Sequence, residues 1–364
     1  MSTSTSGGLG HGSLTDYQLD RLLGRGKYSQ VYLAREKTTG QMVAIKRVEI
    51  FDMMDPASRQ ACVKEVKILQ NVEHPNIVKC FRSFLADNEL VIVLEWAEAG
   101  DLGQLIKARS DAGQVFSTEE VWVQFQQVCN ALRHMHERRM MHRDLKPSNI
   151  FVTCTGDLKL GDLGLSRYFS SRTLQAQTTV GTPYYMSPEV VRGQPYDFSS
   201  DIWSLGCLLY ELVALRNPFY KENQSLYVLG KNIQNCQYEP LPDTVPDEVR
   251  QLVTNMLQPQ PASRPTIGQV AEYVNGYMAQ HYPQYAQHAG AAQQPPAAAA
   301  AAPIGAGAPP PSAGGSRSGT AGGSGSGSRP GSVAGGPAPM DMGLGVTGFG
   351  IQLAGRGVNS QLPR

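Results

Sequence analysis

Few cysteines, no long apolar run and almost no net charge set the first limits on this chain of 364 residues. The six cysteines, Cys62, Cys80, Cys129, Cys154, Cys207 and Cys236, form no C-x-x-C pair, and none has a histidine at zinc-ligand spacing. They read as reduced core thiols of an intracellular protein. No apolar stretch reaches membrane-spanning length, the longest helical one being interrupted by Glu211 and Arg216, so a soluble protein is expected. The opening residues, Met1 to Gly8, lack the basic region and apolar stretch of a secretory signal. Lysine and arginine number 32 against 31 acids. Setting aside the four arginines and one aspartate beyond His281 leaves 28 basic and 30 acidic residues. Bulk charge therefore gives no argument for a nucleic-acid or membrane partner, and neither is expected.

Composition divides the chain in three. Residues 1–15 are Ser/Thr/Gly-rich and are expected to be disordered. Residues 16–279 carry the periodic patterns of a folded domain, and 280–364 form an Ala/Gly/Pro/Ser-rich tail expected to be solvated. That tail has no heptads, and its last apolar residues, Leu344, Val346, Phe349, Ile351 and Leu353, alternate with glycine. A docking peptide is the other reading of those five.

One stretch organises the folded part: His142-Arg143-Asp144-Leu145-Lys146-Pro147-Ser148-Asn149. Pro147 keeps it from being regular helix, and it concentrates a carboxylate, an ammonium and an amide in six residues. Asp144 can accept the proton of a substrate hydroxyl, Lys146 can steady a transferring phosphoryl, and the Asn149 amide oxygen can hold Mg²⁺. Upstream, Leu22-Leu23-Gly24-Arg25-Gly26-Lys27-Tyr28-Ser29-Gln30-Val31 reads as strand, turn, strand. Gly24 and Gly26 allow close approach of backbone to phosphates, and Val31 can cover an adenine ring. Ser29 replaces the third glycine, so a plain hairpin turn is an equal reading of this stretch alone. In the alternating run from Met42 to Val48, Lys46 shares a face with Ala44 and Val48. A helix from Asp55 and Pro56 to about Asn71 sets Glu65 among Ala61, Cys62, Ile68 and Leu69, and a carboxylate inside an apolar stripe needs an ion pair. Lys46 is its expected partner.

Two strands, about Val78 to Leu85 and Leu90 to Leu94, complete the first sheet. Leu94 would then guard a pocket whose purine-facing edge is Glu95-Trp96-Ala97. Asp101 lies either at the ribose or at a helix N-cap. Ser117 and Glu120 form a capping-box pattern ahead of an apolar stripe at Val121, Phe125, Val128, Leu132 and Met135. His134 and His136, two apart and on different faces of that helix, are assigned no metal. A hairpin around Thr155-Gly156-Asp157 delivers Asp162-Leu163-Gly164, where Asp162 is the second candidate Mg²⁺ ligand. The polar segment Ser166 to Thr182 reads as a loop ordered by a phosphate meeting Arg143. An apolar helix from about Ser200 to Val213 places Asp201 in its first turn, suited to hold the catalytic-loop backbone. Arg264 can pair with Glu189 and pin that loop to the helical part.

From about Tyr17 to Met278 the chain resembles the eukaryotic protein kinases. The likeness lies in the Gly-rich loop, the Val43-Ala44-Ile45-Lys46 strand, the His142-Arg143-Asp144 loop, the Asp162-Leu163-Gly164 triplet and Ser187-Pro188-Glu189, in that order. Ile50-Phe51-Asp52-Met53-Met54-Asp55, Lys159 to Leu165, Tyr168-Phe169-Ser170-Ser171 and Gly181 to Glu189 are similar to the short NIMA-related kinases. The resemblance implies an α+β, bilobal kinase fold with a small β-rich N-lobe and a larger helical C-lobe. It implies ATP and Mg²⁺ as cofactors, protein Ser/Thr hydroxyls as acceptors, and activation by an upstream kinase. Asp144 becomes the catalytic base, Lys146 the phosphoryl contact, Asn149 and Asp162 the metal ligands, and Lys46 with Glu65 the phosphate-positioning pair. Lys146 and Thr182 match the serine/threonine-specific pattern. Thr178 falls at the activating phosphosite, with Thr179 as the neighbouring alternative. Cys80 stands where relatives carry an inhibitory tyrosine, and Leu69, Cys80, His142 and Leu163 would form a loosely filled stack between the lobes. The family implies a cytoplasmic protein, with nucleus, centrosome, spindle and cilium as further stations, in cell-cycle or ciliary and microtubule regulation. The alternative function is a kinase-fold scaffold docking partners through the tail.

Overall fold

The computed structural model describes residues 12–26, 28–51, 56–162 and 183–285. The chain divides into two units, Met1–Ala299 and Ala300–Arg364, and every described residue belongs to the first. Five antiparallel strands open it: β1 (Tyr17–Arg25), β2 (Ser29–Glu36), β3 (Met42–Val48), β4 (Cys80–Ala86) and β5 (Glu89–Glu95), in the order β1-β2-β3-β5-β4. The period of two decides which side chains meet. Val43 and Ile45 of β3 join Val91 and Val93 of β5 in a core on one face of the sheet. On the other face, Val48 joins Leu90 and Ile92 and packs against Cys62 and Val66 of helix α1 (Pro56–Leu69).

The C-terminal lobe is helical: α2 (Leu102–Asp111), α3 (Thr118–Glu137), α4 (Pro188–Val191), α5 (Phe198–Ala214), α6 (Leu226–Gln234), α7 (Asp247–Met256) and α8 (Ile267–His281). A short hairpin of β6 (Ile150–Val152) and β7 (Leu158–Leu160) lies between α3 and α4 in the chain. Helix α3 starts where the capping box places it: Ser117 N–H donates to Glu120 Oε2 at 2.7 Å, and Glu120 N–H to Ser117 Oγ at 3.1 Å. Its stripe of Val121, Phe125, Val128, Leu132 and Met135 is buried, each such side chain contributing roughly 1.5–3 kcal/mol.

Three boundaries differ from the sequence expectation, each for a local reason. Strand β4 begins at Cys80 because Val78 N–H is used by Leu160 O at 2.9 Å and Ile77 bridges Leu160 in parallel, so this stretch ties the sheet to β7. Helix α5 begins at Phe198, because Asp197 caps it by accepting from Ser199 N–H (2.8 Å) and Ser200 N–H (3.2 Å). The folded domain also continues beyond residue 279. Tyr277 of α8 stacks on Trp122 at 4.2 Å, His281 stacks on Tyr277 at 4.2 Å, and Tyr285 O–H donates to Glu119 Oε1 at 2.7 Å. On α1, Ile68 is 46% exposed rather than part of the inward stripe, which is Cys62, Val66 and Leu69.

Helices α4 and α5 and the turn before α8 are joined by a buried ion pair. Arg264 Nη1 and Nη2 donate to Glu189 Oε1 and Oε2, both at 2.8 Å, and Ser200 Oγ donates to Glu189 Oε1 at 2.7 Å. The guanidinium also reaches Ser199 O (2.9 Å) and lies 5.1 Å from the Trp203 ring centroid. Burial works against the Glu189 charge, but Arg264 and Ser200 outweigh it and bring the carboxyl down to about 2 from the ordinary 4.5. A depressed carboxyl stabilises the fold fully above its unfolded value and loses that contribution as pH falls toward its folded value. Glu189→Gln should therefore cost about 3–5 kcal/mol in denaturant unfolding at neutral pH, since it strands a buried guanidinium. The deficit relative to wild type should shrink as pH falls below 4.5 toward 2. A gap that stays constant over that range would show that the carboxylate charge is not what stabilises the site.

Candidate active site

The catalytic loop is shaped by one buried carboxylate. Asp201, with a fully buried side chain, accepts from His142 N–H (2.9 Å, Oδ2) and Arg143 N–H (3.0 Å, Oδ1). His136 Nε2 lies 2.8 Å from Oδ2, and Tyr196 O–H donates to Oδ1. Burial opposes the charge, yet these donors, His136 foremost, hold the Asp201 carboxyl below its usual range. Arg143 accordingly adopts φ 71°, an uncommon conformation for a side chain with Cβ, fixed here by two charge-assisted bonds. Burial lowers the His142 pKa, so the ring is neutral near pH 7. Its Nε2–H then donates to Gly161 O (2.9 Å), and Nδ1 accepts from Asp144 N–H (3.3 Å).

Asp144 is held from both sides. Lys146 Nζ donates to its Oδ1 (3.0 Å) and Oδ2 (2.8 Å), and Asn149 Nδ2 donates to its main-chain O (2.7 Å) and to Oδ2 (2.9 Å). Asn149 N–H in turn donates to Lys146 O at 3.0 Å, in the short turn Pro147–Asn149. With its nitrogen spent on Asp144, Asn149 has its amide oxygen left for a cation. Asp162 stands next to Gly161 with φ 54° and a side chain 42% exposed. Lys46, opposite Val31 in the β2–β3 register, donates to Asp162 Oδ1 and holds that carboxyl below its ordinary value.

Sequence reasoning paired Lys46 with Glu65. In the structure Lys46 pairs with Asp162 instead, and the described residues include no Lys46–Glu65 ion pair. The expected stack is also divided: Leu69 belongs to the core of the helical lobe, whereas Cys80 packs with Cys62, Val66 and Leu90 under the sheet. Burial pushes the Cys80 thiol up to about 12, so it behaves as a small apolar group.

Of the residues expected at the nucleotide, Leu23 and Val31 on β1 and β2 and Leu94 on β5 are half-buried, and Ala44 and Ala97 are buried. Gly24 pairs with Val31, and Gly26 N–H donates to Ser29 O at 2.7 Å, closing the β1–β2 turn around Tyr28 with Arg25 at its edge. A Cβ on Gly26 would lie 2.9 Å from Ser29 Oγ, so the serine in place of a third glycine occupies that space. Ala97 N–H and C=O make no hydrogen bond among the described residues. The Glu95 carboxylate, by contrast, is engaged by Lys159 Nζ (2.9 Å) and Lys79 N–H (3.2 Å), a structural role. Asp101 caps α2, accepting from Gln104 N–H at 2.9 Å, which is the N-cap reading. The turn after Ala97 is joined to β6 by Ala99 N–H to Val152 O (3.0 Å) and Val152 N–H to Gly100 O (2.9 Å). Lys27, Leu163, Thr178, Thr179 and Thr182 lie outside the described residues. The sequence reading missed His136, Tyr196 and Ser200, each of which reaches its carboxylate through tertiary contact; only their polarity on apolar or capped segments could have flagged them.

The protein kinase domain family matches residues 17–274. The chain is 37% identical over 268 residues to probable serine/threonine-protein kinase nek3 of Dictyostelium discoideum, covering 72% of this chain and 24% of that protein. It is 36% identical over 255 residues to serine/threonine-protein kinase Nek5 of Homo sapiens, covering 70% and 35%. With serine/threonine-protein kinase Nek3 of Mus musculus it shares 38% over 255 residues, covering 70% and 48%. The chain thus spans less than half the length of each of these curated relatives.

Tyr196→Phe isolates one donor to the buried carboxylate at nearly constant volume. It should destabilise the protein by about 1.5–3 kcal/mol in urea unfolding, the usual worth of a hydrogen bond to a charged group. Because the Asp201 carboxyl is depressed in the folded state, its stabilisation is present above the unfolded value and lost on acidification. Losing one donor should move that loss to higher pH. Unaltered stability and acid profile in the variant would exclude Tyr196 from the network.

Proposed function

The chain belongs to the protein kinase family and to its NIMA-related branch, and from this premise we propose that it is an ATP-dependent serine/threonine protein kinase. The observation that carries the reading is Asp144 fixed by Lys146 and Asn149 across the cleft from Lys46 and Asp162. The acceptor hydroxyl oxygen attacks the γ-phosphorus of ATP, the bond to the β–γ bridging oxygen breaks, and the hydroxyl proton passes to the Asp144 carboxylate. Lys146, already on that carboxylate, meets the charge on the transferring group, and Lys46 holds the phosphates. The Gly24–Gly26 turn covers them, and Ala97 offers a donor and an acceptor to the purine edge. The donor set of one carboxylate and one free amide oxygen suits Mg²⁺. Asp162 and Asn149 would hold the ion, which when bound neutralises phosphate charge.

We further propose that the Lys46–Asp162 pair belongs to a resting arrangement. Glu65, half-buried on α1, would receive Lys46 when that helix packs inward. Arg143 has no carboxylate within ion-pair distance among the described residues, which supports a role as receiver of a loop phosphate placed by an upstream kinase. Protein substrates with Ser/Thr acceptors, and a role in cell-cycle or ciliary and microtubule regulation in the cytoplasm, nucleus or centrosome, follow from the NIMA-related branch. Among the described residues no helix is long and apolar enough to cross a membrane.

Two outcomes test this reading. Asp162→Asn, nearly isosteric, should abolish γ-phosphate transfer to casein while leaving the melting temperature within a few degrees; an undiminished rate would refute the metal assignment. Thr178→Ala should lower activity strongly and Thr179→Ala less, read against phosphatase-treated wild type. Equal activity of treated and untreated wild type would rule out the phosphate switch.

A further inference from the structure

Helix α6 carries an anomaly that its own folding does not need. Ser225 caps it through Val228 N–H (3.3 Å), and Leu229 and Ile233 supply its buried face. Yet three consecutive apolar residues at its start face solvent: Leu226 is 46%, Tyr227 74% and Val228 43% exposed. Such a run is selected against on a surface unless something uses it. The preceding loop adds Tyr220, 45% exposed, and is folded back by Gln224 Nε2 donating to Phe219 O at 2.6 Å.

The surroundings indicate what fits. Lys221 and Lys231 are exposed and make no ion pair among the described residues, Lys231 Nζ lying 5.7 Å from the Tyr227 ring centroid. Arg192 joins them at the C-terminal end of α6, donating to Gln234 O at 3.0 Å. Glu222 is the one acid in the loop between Tyr220 and Ser225. Tyr220 meets the edge of Tyr184 at 5.8 Å, and the neighbouring Tyr185 carbonyl accepts from Ser204 Oγ at 3.1 Å, one turn of α5 beyond Asp201. The Tyr220 loop is thereby tied, through Tyr184 and Tyr185, to the helix whose Asp201 holds the catalytic loop. A second copy of the chain is the poorer occupant, because a two-fold contact here would set the same basic rim against itself.

We propose that the exposed face of α6 and the Tyr220 loop is a docking site for protein substrates, taking an apolar and acidic segment that lies outside the phosphorylated sequence itself. This rests on the kinase reading. The aromatic and aliphatic side chains of that segment cover Tyr220, Leu226, Tyr227 and Val228, and its carboxylates meet Lys221, Lys231 and Arg192. The site raises the local concentration of acceptor at Asp144 and leaves the chemical step unchanged.

The test uses the full, loop-phosphorylated chain and two synthetic substrates: a short Ser/Thr acceptor peptide, and the same peptide joined through Gly/Ser linkers of graded length to an Asp/Glu- and Phe/Leu-rich extension. At the best linker the extension should lower KM about tenfold at constant kcat, the effect of one well-placed hot spot. Leu226→Ser with Tyr227→Ser should erase that gain, and Lys231→Glu should reduce it, while KM for the short peptide and for ATP stays as in wild type. A Lys/Arg- and Phe/Leu-rich extension should gain nothing. Equal KM for both substrates at every linker length, or a gain that survives the double substitution, overturns the docking site alone. Failure of wild type to phosphorylate either peptide overturns the kinase reading and docking with it. A wild-type dimer that the double substitution dissociates, with both KM values unaltered, assigns the face to a second copy and also overturns the proposal.

Discussion

A single carboxylate without solvent contact organises this molecule. Asp201 sits in the first turn of α5 and gathers four donors from three parts of the chain: the ring of His136 at the end of α3, the amides of His142 and Arg143, and the hydroxyl of Tyr196. An ionised group taken out of water is tolerated only when its lone pairs are filled, and here they are filled by the elements that must converge for Asp144 to face the cleft. The cost of burying the charge is thus offset only in the conformation that builds the site. The left-handed Arg143 and the neutral His142, bonded to Gly161 beside Asp162, follow from that anchoring.

A second buried charge does similar service one layer down. Glu189 and Arg264 lock α4 to the turn before α8. Toward the sheet, no carboxylate among the described residues is buried as deeply as Asp201 or Glu189. Lys46 rests on Asp162, Leu69 and Cys80 belong to separate cores, and α1 shows an exposed Ile68.

Much of this was legible in the sequence, and the legible parts share a cause. Helix α3 was readable because its cap and stripe are local, β3 because alternation is local, and the β6–β7 hairpin because Gly156 marks its turn. The residue types around Asp144 were readable because their chemistry is concentrated in one short stretch. What could not be read depends on distance in space. Nothing near His136 announces that its ring meets a carboxylate 65 residues away. The choice of Lys46 between Glu65 and Asp162 is a competition between two carboxylates that spacing cannot adjudicate. The Asp197 cap of α5 was missed because its partner Ser200 is not the glutamate or glutamine of the usual capping box.

The dependence of the catalytic loop on the buried carboxylate is open to one direct measurement: amide hydrogen exchange at His142 and Arg143 in wild type and in Asp201→Asn. The amide side chain of asparagine keeps one acceptor oxygen where the carboxylate has two, so at least one of the two N–H groups loses its partner. Strong protection of both amides in the wild type, falling by orders of magnitude for at least one in the variant while α3 and α5 remain protected, is the predicted result. Equal protection of both amides in the two proteins would show that the loop holds its shape without Asp201.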